Sequence, residues 1–425
     1  MYKISFSLLF VGLLGCTQAQ PPSDIERIVT TLAADDMEGR EAGTPGAKKA
    51  ADFIAEEFRK AGLSYFDNLS TFQQPFQLIE NKVTIEALQI NDQPSQYKEI
   101  FIVANTPTIK VDRLEAVRTL RISAQDNFSQ RFNTFKDTTG QWVVLVDPVH
   151  HATFKKYRTF FQRTQTSLGD SSTSRALVFL LEKAPIKTLQ VTATNTLKKR
   201  NLQNVVGLLE GKSKPKDFII FSAHYDHIGI QSQAVNGDRI ANGADDDASG
   251  TTAVIALAKH YAQTKENECT LVFVAFTAEE IGGYGSQYFA QQVNPEKVIT
   301  MLNFEMIGKL ATFGQKSAFL TGFSMSNLGE LLQKNLEGHD FQLHPDPYQN
   351  QNLFYRSDNA TLARLGVPAH TLSTAPIDED PYYHTVDDEV NTLDITNMTT
   401  VIEAIPIAIK SIVKGQEAPT RLPSE

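Results

Sequence analysis

The sequence predicts an α/β protein: a mainly parallel, mixed sheet flanked by helices in three layers, interrupted by a β-rich inserted module. Three observations carry this. From Asn204 onward, Val205–Leu209, Phe218–Ala223, Leu271–Phe276, Val298–Asn303 and Ala369–Leu372 are unbroken apolar runs of strand length. Helical patterns over Thr251–Tyr261, Ser286–Gln292, Ser326–Leu336 and Ile395–Val413 alternate with several of them. Between Tyr65 and about Arg200, short β-type runs sit instead in polar stretches rich in Thr, Gln and Ser. Strands apolar on both sides are what a parallel sheet covered by helices on each face requires.

Taken from the start, Lys3 precedes Ile4 to Leu14, eleven small or apolar residues. That is short of the roughly 20 residues a helix needs to cross a bilayer, and it suits the core of a secretory leader. Leu13-Leu14-Gly15-Cys16 resembles a bacterial lipobox, with Cys16 the lipidated residue. Thr17-Gln18-Ala19 suits plain cleavage before Gln20 equally well. Either way residues 1–19 are a signal peptide. The mature protein is expected outside the cytoplasm, periplasmic or extracellular; in the lipobox alternative a lipid on Cys16 would be its sole membrane attachment, and in the other it is freely secreted. Asp24 to Leu63 reads as two helices around a polar loop. Ile25, Ile28, Val29 and Leu32 form one stripe, and Ala50, Phe53, Ile54, Phe58 and Leu63 the other. The β-type runs of the module are Lys82–Ile90, Ile100–Val103, Trp142–Val146, Leu177–Leu181 and Thr188–Ala193. The expected division is 20–64 with 201–415 as one unit, 65–200 as the insertion and 416–425 as a tail.

Composition narrows the function. The 425 residues carry 40 Lys+Arg against 49 Asp+Glu, a formal net charge of −9. An acidic chain without basic runs is a poor binder of phosphate backbones, so nucleic acid is not an expected partner. Two cysteines, Cys16 and Cys269, exclude a disulfide framework. Cys269 borders a core strand and reads as packing.

Chemistry gathers after the apolar strands. Phe218–Ala223 ends in His224-Tyr225-Asp226-His227. The loop Gly243-Ala244-Asp245-Asp246-Asp247-Ala248-Ser249-Gly250 feeds a helix. Leu271–Phe276 runs into Thr277-Ala278-Glu279-Glu280, the strand through Leu302 into Asn303-Phe304-Glu305-Met306, and a late loop supplies Tyr382-Tyr383-His384-Thr385. Singly, each has a plain structural reading: aspartates before a helix cap it, and paired glutamates are mostly solvated. Together they recur at the carboxyl ends of strands, where sites of α/β sheets form. Acidic and imidazole groups there need partners or a metal. No G-x-S-x-G or H-E-x-x-H occurs. The run Gly207 to Ser213 is one residue short of a phosphate-binding loop.

In this order, AHYDH, NGADDDASG, FTAEEIGGYGS, NFEMIGK and YYHTVDDE resemble the co-catalytic zinc aminopeptidase family, which also includes glutamate carboxypeptidase and glutaminyl cyclase. EGREAGTPGAKKAADFIAEEFRKAGL is similar to the N-terminal helical segment of many members, and FYRSDNATLARLGVP to a substrate-side segment. The module at 65–200 lies outside the resemblance, and some relatives carry a protease-associated domain at that place.

The resemblance implies a zinc-aminopeptidase-like fold and two zinc ions bridged by Asp246. His224 and Glu305 would complete one metal, Glu280 and His384 the other. Asp226 would accept a hydrogen bond from the His224 imidazole, and Glu279 would be the general base. The physics agrees: N/O donors suit zinc, and three carboxylates bring two dications from +4 to +1. Tyr383 could donate to the developing oxyanion, and Arg356 could hold a substrate carbonyl or carboxylate. One departure stands out, since the family usually has Asp where this chain has Glu305. The reading is thus an exported aminopeptidase acting on peptide or protein N-termini. A glutaminyl cyclase-like acyltransferase and a non-catalytic surface binding protein are the alternatives.

Overall fold

The computed structural model describes residues 23–423, apart from 96, 136–137, 170–173 and 183. The leader at 1–19, with Cys16, lies outside the described residues, as does the end of the tail at 424–425. Four strands form the parallel centre of the main sheet, in the order Ala369–Ser373, Val298–Phe304, Lys214–His224 and Cys269–Phe276. Alternate side chains of these strands enter two different cores. Ile219, Phe221 and Phe273 pack with the helices Asp24–Leu32, Pro45–Ala61, Gly250–Thr264 and Ile395–Ala408. Ile220, Val272 and Val274 pack with Tyr284–Ala290 and Asn359–Ala363 on the other face. This is the three-layer α/β arrangement that the unbroken apolar runs require.

Antiparallel strands flank that centre: Ser317–Leu320 beside Ala369–Ser373, and Leu189–Leu209 beside Cys269–Phe276. The latter runs for 21 residues. The separate strands expected at Thr188–Ala193 and Val205–Leu209 are its two ends. The polar stretch between them pairs throughout with Gln73–Ile90, from Val205 opposite Gln73 to Leu189 opposite Ile90. Leu189–Leu209 therefore passes straight through the seam expected near 200, while Gln73–Ile90 lies wholly within the expected insertion. Farther out, Ile100–Ala104, Arg175–Leu181, Gly140–Val146 and Arg118–Ile122 form a four-stranded sheet with both parallel and antiparallel pairs. The helices Phe128–Phe135 and His151–Phe161 cover it, so the β-rich module also carries helices of its own. Their stripes escape a reading tuned to strands because the aromatic residues doing the packing, Phe128, Phe135 and Phe154, are also strand formers. The tail is packed as well: Leu422 is buried, and Asn327 and Thr420 exchange hydrogen bonds of 3.1 and 2.7 Å. Among the described residues, no helix is long and apolar enough to cross a membrane.

Candidate metal centre

The four parallel strands end at one edge, and the polar motifs leave from there. His224 is the last residue of its strand, in register with Phe276 of the neighbour. Glu279 and Glu280 follow that neighbour after a turn in which Ala278 takes φ 62°. Glu305 directly follows Val298–Phe304, and His384 comes in from the late loop.

Asp246 stands between two imidazoles. Its Oδ1 is 3.2 Å from His224 Nε2, which is also 3.2 Å from Glu305 Oε1. Its Oδ2 is 3.2 Å from His384 Nε2, which is also 3.2 Å from Glu280 Oε2. Two ligands on one tetrahedral zinc, each about 2.0–2.2 Å from it, lie about 3.3 Å apart. A charge-assisted hydrogen bond would close to about 2.7–2.9 Å. All four distances match the spacing of ligands that share an ion. His224, Asp246 and Glu305 form one cluster able to hold a metal, and His227, Asp246 and Glu280 form a second.

The electrostatics point the same way. Asp226, Asp245, Asp246, Asp247, Asp358 and Asp388 are all buried. Burial pushes Asp226 up to about 7, and burial with the Asp388 charge pushes Asp245 up to about 8. Glu279 is raised well above the usual carboxylate range by burial, with Glu305, Asp358 and Glu280 adding to it. His384 is pushed up to about 10 by the adjoining carboxylates of Asp246 and Glu280, which outweigh its burial. Fully buried Arg40 supplies one compensating cation. So many buried carboxylates call for more positive charge, and the N/O donor set suits a divalent first-row ion.

The three consecutive aspartates have three different jobs. Asp245 Oδ1 accepts from Gly308 N at 2.7 Å. Asp246 faces the imidazoles. Asp247 ties the strand ends together, accepting from His224 N at 3.2 Å, Met306 N at 3.0 Å and Gly250 N at 3.1 Å. Gly250 has to be glycine, because a Cβ there would lie 2.5 Å from the Asp247 carboxylate.

The structure thus brings His224, Asp246, Glu280, Glu305 and His384 together, with Glu279 beside them. Asp226 differs from expectation. Its backbone carbonyl, not its carboxylate, faces His224 Nδ1 at 3.0 Å. The carboxylate lies 3.8 Å from that nitrogen and instead accepts from Glu279 N at 3.2 Å. The sharp turn after the strand aims the carbonyl at the ring, which residue spacing does not disclose. Tyr383 and Arg356 line a pocket of about 60 Å³ beside Glu305, with Met306, Phe319, Leu353 and Ile377. Tyr383 stacks on His384 at 4.0 Å between ring centroids, and exposed Arg356 donates to Gln351 Oε1 at 3.1 Å.

Sequence reasoning gave no role to several residues at this centre. Ser357 Oγ donates to Glu305 Oε2 at 2.5 Å. Asp388 accepts from the backbone N–H groups of Asp245 and Asp246 at 3.1 and 3.0 Å. Arg40 donates to four backbone carbonyls, including Tyr225 O at 2.7 Å and Gly243 O at 2.8 Å. His227 Nδ1 lies 2.8 Å from Glu280 Oε1. The acidic residue ahead of Glu389 and the serine inside RSDN were visible signals, but each is individually common.

The model of peptidase family M28 matches residues 204–407, the stretch that contributes every one of these donors except the N-terminal Arg40. That stretch, just under half of the chain, is similar to the family. A probable zinc metalloprotease of Pyricularia oryzae is 38% identical over 112 residues, 25% of this chain and 21% of the relative. Another from Pyrenophora teres f. teres is 36% identical over 110 residues, 25% of this chain and 23% of the relative. The chain covers under a quarter of the length of these two curated relatives. The zinc aminopeptidase from Bacillus subtilis aligns over 92% of this chain and 95% of its own, at 17% identity and a TM-score of 0.54. That likeness shows a shared fold.

Proposed function

We propose that this chain is an exported zinc aminopeptidase of the M28 type that removes N-terminal residues from peptides and uses two zinc ions. The observation that carries it is the pair of imidazoles, each 3.2 Å from one Asp246 oxygen and from one further carboxylate oxygen. His224, Asp246 and Glu305 would hold one ion; Asp246, Glu280 and His384 the other. Held by these residues, two dications would supply a water of lowered pKa and polarisation of the scissile carbonyl. Glu279, next to Glu280 and raised in pKa by its burial, takes the attacking water's proton and delivers it to the leaving amine as the C–N bond breaks. Tyr383, which lines the pocket at Glu305, would donate to the oxyanion. The same pocket is mainly apolar, with Met306, Phe319, Leu353 and Ile377, and suits an uncharged side chain of the residue to be released. Arg356 at its rim can hold a substrate carbonyl. Export rests on the leader read at 1–19.

The test is release of free amino acid from aminoacyl-nitroanilides by the purified protein, before chelation, after it and after zinc is restored. Activity lost and regained with zinc is expected, with leucyl substrates ahead of aspartyl ones. Glu279→Gln should keep its metal while turnover falls by roughly 10²–10⁴. Cyclisation of N-terminal Gln peptides without amino-acid release would overturn the peptidase reading.

A further inference from the structure

His227 closes the run that begins at His224, and none of the roles above uses it. It is almost completely buried, and its ring is boxed in on several sides. Its backbone N donates to Arg40 O at 3.3 Å, and Glu41 bridges to it as a neighbouring extended residue. Gly243, at φ 57°, approaches the ring so closely that a Cβ there would lie 2.6 Å from two ring carbons. On the opposite side the ring meets His384 edge to face, with centroids 5.7 Å apart.

We propose that His227 is a positioning residue, whose Nδ1–H holds Glu280 by Oε1 and leaves Oε2 turned toward His384 to bind the second metal. This rests on the two-metal reading above. Distance separates a hydrogen-bonding role from a ligand role. His227 Nδ1 is 2.8 Å from Glu280 Oε1, inside hydrogen-bond range, and 3.7 Å from Asp246 Oδ2. The other imidazoles stand 3.2 Å from both of their carboxylate oxygens, the spacing of shared ligation. The other ring nitrogen agrees. Nε2 of His227 is buried with no hydrogen-bond partner among the described residues. With the proton on Nδ1, that leaves a bare acceptor lone pair there, where the opposite tautomer would strand a buried N–H and set two acceptors against each other. A carboxylate free to turn about its last bond offers either oxygen or both. One fixed by a donor offers a single oxygen in a single direction. Partners of this kind typically change metal affinity by about 10–100-fold.

The experiment is titration of zinc, and separately of Co²⁺, into the chelator-stripped full chain and its variants, following stoichiometry, affinity and the visible cobalt spectrum. Wild type should bind two equivalents. His227→Ala should weaken one equivalent by about 10–100-fold and spare the other. His227→Asn, whose amide N–H can stand near the lost Nδ1–H, should recover most of that affinity with a wild-type cobalt spectrum. If His227→Ala does not fold, His227→Leu fills the same space without the donor and carries the same expectation. Two equivalents bound by the Ala or Leu variant with wild-type affinities would overturn the proposal. So would an Asn variant as weak as Ala with an altered cobalt spectrum, which would make His227 a ligand. A wild-type protein that binds no metal would reject the two-metal reading itself, which distinguishes that failure from a failure at His227 alone.

Discussion

One methylene separates Glu305 from the aspartate usual at its place, and the structure shows where that extra length goes. Oε1 reaches to 3.2 Å from His224 Nε2 while Ser357 holds Oε2 at 2.5 Å, and Asn303 in turn holds Ser357 at 2.8 Å. The longer side chain has one more rotor to freeze, which costs some tenths of a kcal/mol up to about 1. Ser357 offsets part of that by holding the carboxylate in place. The metal shared by His224 and Glu305 should therefore be the weaker of the two, and zinc binding to the stripped protein should proceed in two steps. Glu305→Ala should abolish the weaker step and spare the tighter one, whereas Glu305→Asp should keep some of it. Two unchanged steps in Glu305→Ala would remove Glu305 from the ligand set. At this scale the donors were legible because acidic and imidazole side chains are out of place after apolar strands. Their supports were not. Ser357 and His227 act through one hydrogen bond each, and the contact partners lie 52 and 53 residues away in sequence.

Among the elements, the loop that carries Asp246 is held from outside itself. The Asp388 carboxylate accepts from the N–H groups of Asp245 and Asp246, and its carbonyl accepts from Ala244 N at 3.0 Å. Arg40 fastens the carbonyls of Asn242 and Gly243 just upstream, at 2.5 and 2.8 Å. One ligand loop is thus clamped by the late loop that also supplies His384, and by the segment joining the first two helices. Removing the Asp388 carboxylate leaves buried N–H groups without acceptors, at about 1–3 kcal/mol. Asp388→Ala should accordingly lower unfolding stability by about that much and loosen both metals about tenfold or more, since Asp246 touches both. A variant with wild-type stability and metal affinity would show that the loop holds its shape without the clamp. The strands and helices feeding this edge were readable from periodicity, because burial on both faces writes itself into sequence. The 21-residue strand was not, because its polar middle looks like a loop unless its partner is known. The helix expected over Ile395–Val413 is divided at Ile409 into Ile395–Ala408 and Lys410–Val413, just after Pro406, which cannot donate to the turn before it.

Across the whole molecule, the N-terminal helices join the α/β unit through a buried charge as well as through apolar packing. Glu57, on Pro45–Ala61, has a side chain only 1% exposed and accepts from Arg27 at 2.8 Å, Lys60 at 3.0 Å and Lys259. These cations come from Asp24–Leu32, from its own helix and from Gly250–Thr264, so one carboxylate links three helices packed on the sheet. The sequence showed the apolar stripes that bring these helices together but not this junction, since a glutamate among lysines reads as solvated surface. Burial alone would raise the Glu57 carboxyl, but the hydrogen bonds from Lys259, Arg27 and Lys60 outweigh it and hold it below its ordinary value. A carboxyl depressed in the folded state stabilises fully above its unfolded pKa of about 4.3, and that contribution fades as pH falls through the lower folded value. Arg27 and Lys60 extend into solvent, which weakens their share, so Glu57→Gln should cost about 1–2 kcal/mol near neutral pH. The comparison belongs on chelator-stripped protein, because the metal ligands also take up protons in acid and would release zinc across the same range. Urea unfolding of wild type and Glu57→Gln should then give a stability gap that is flat from pH 6 to 8 and narrows below about pH 4.3. Groups common to both chains cancel in that difference, leaving Glu57 as its source. A gap that stays constant into acid would mean that the glutamate acts there through packing and not through its charge.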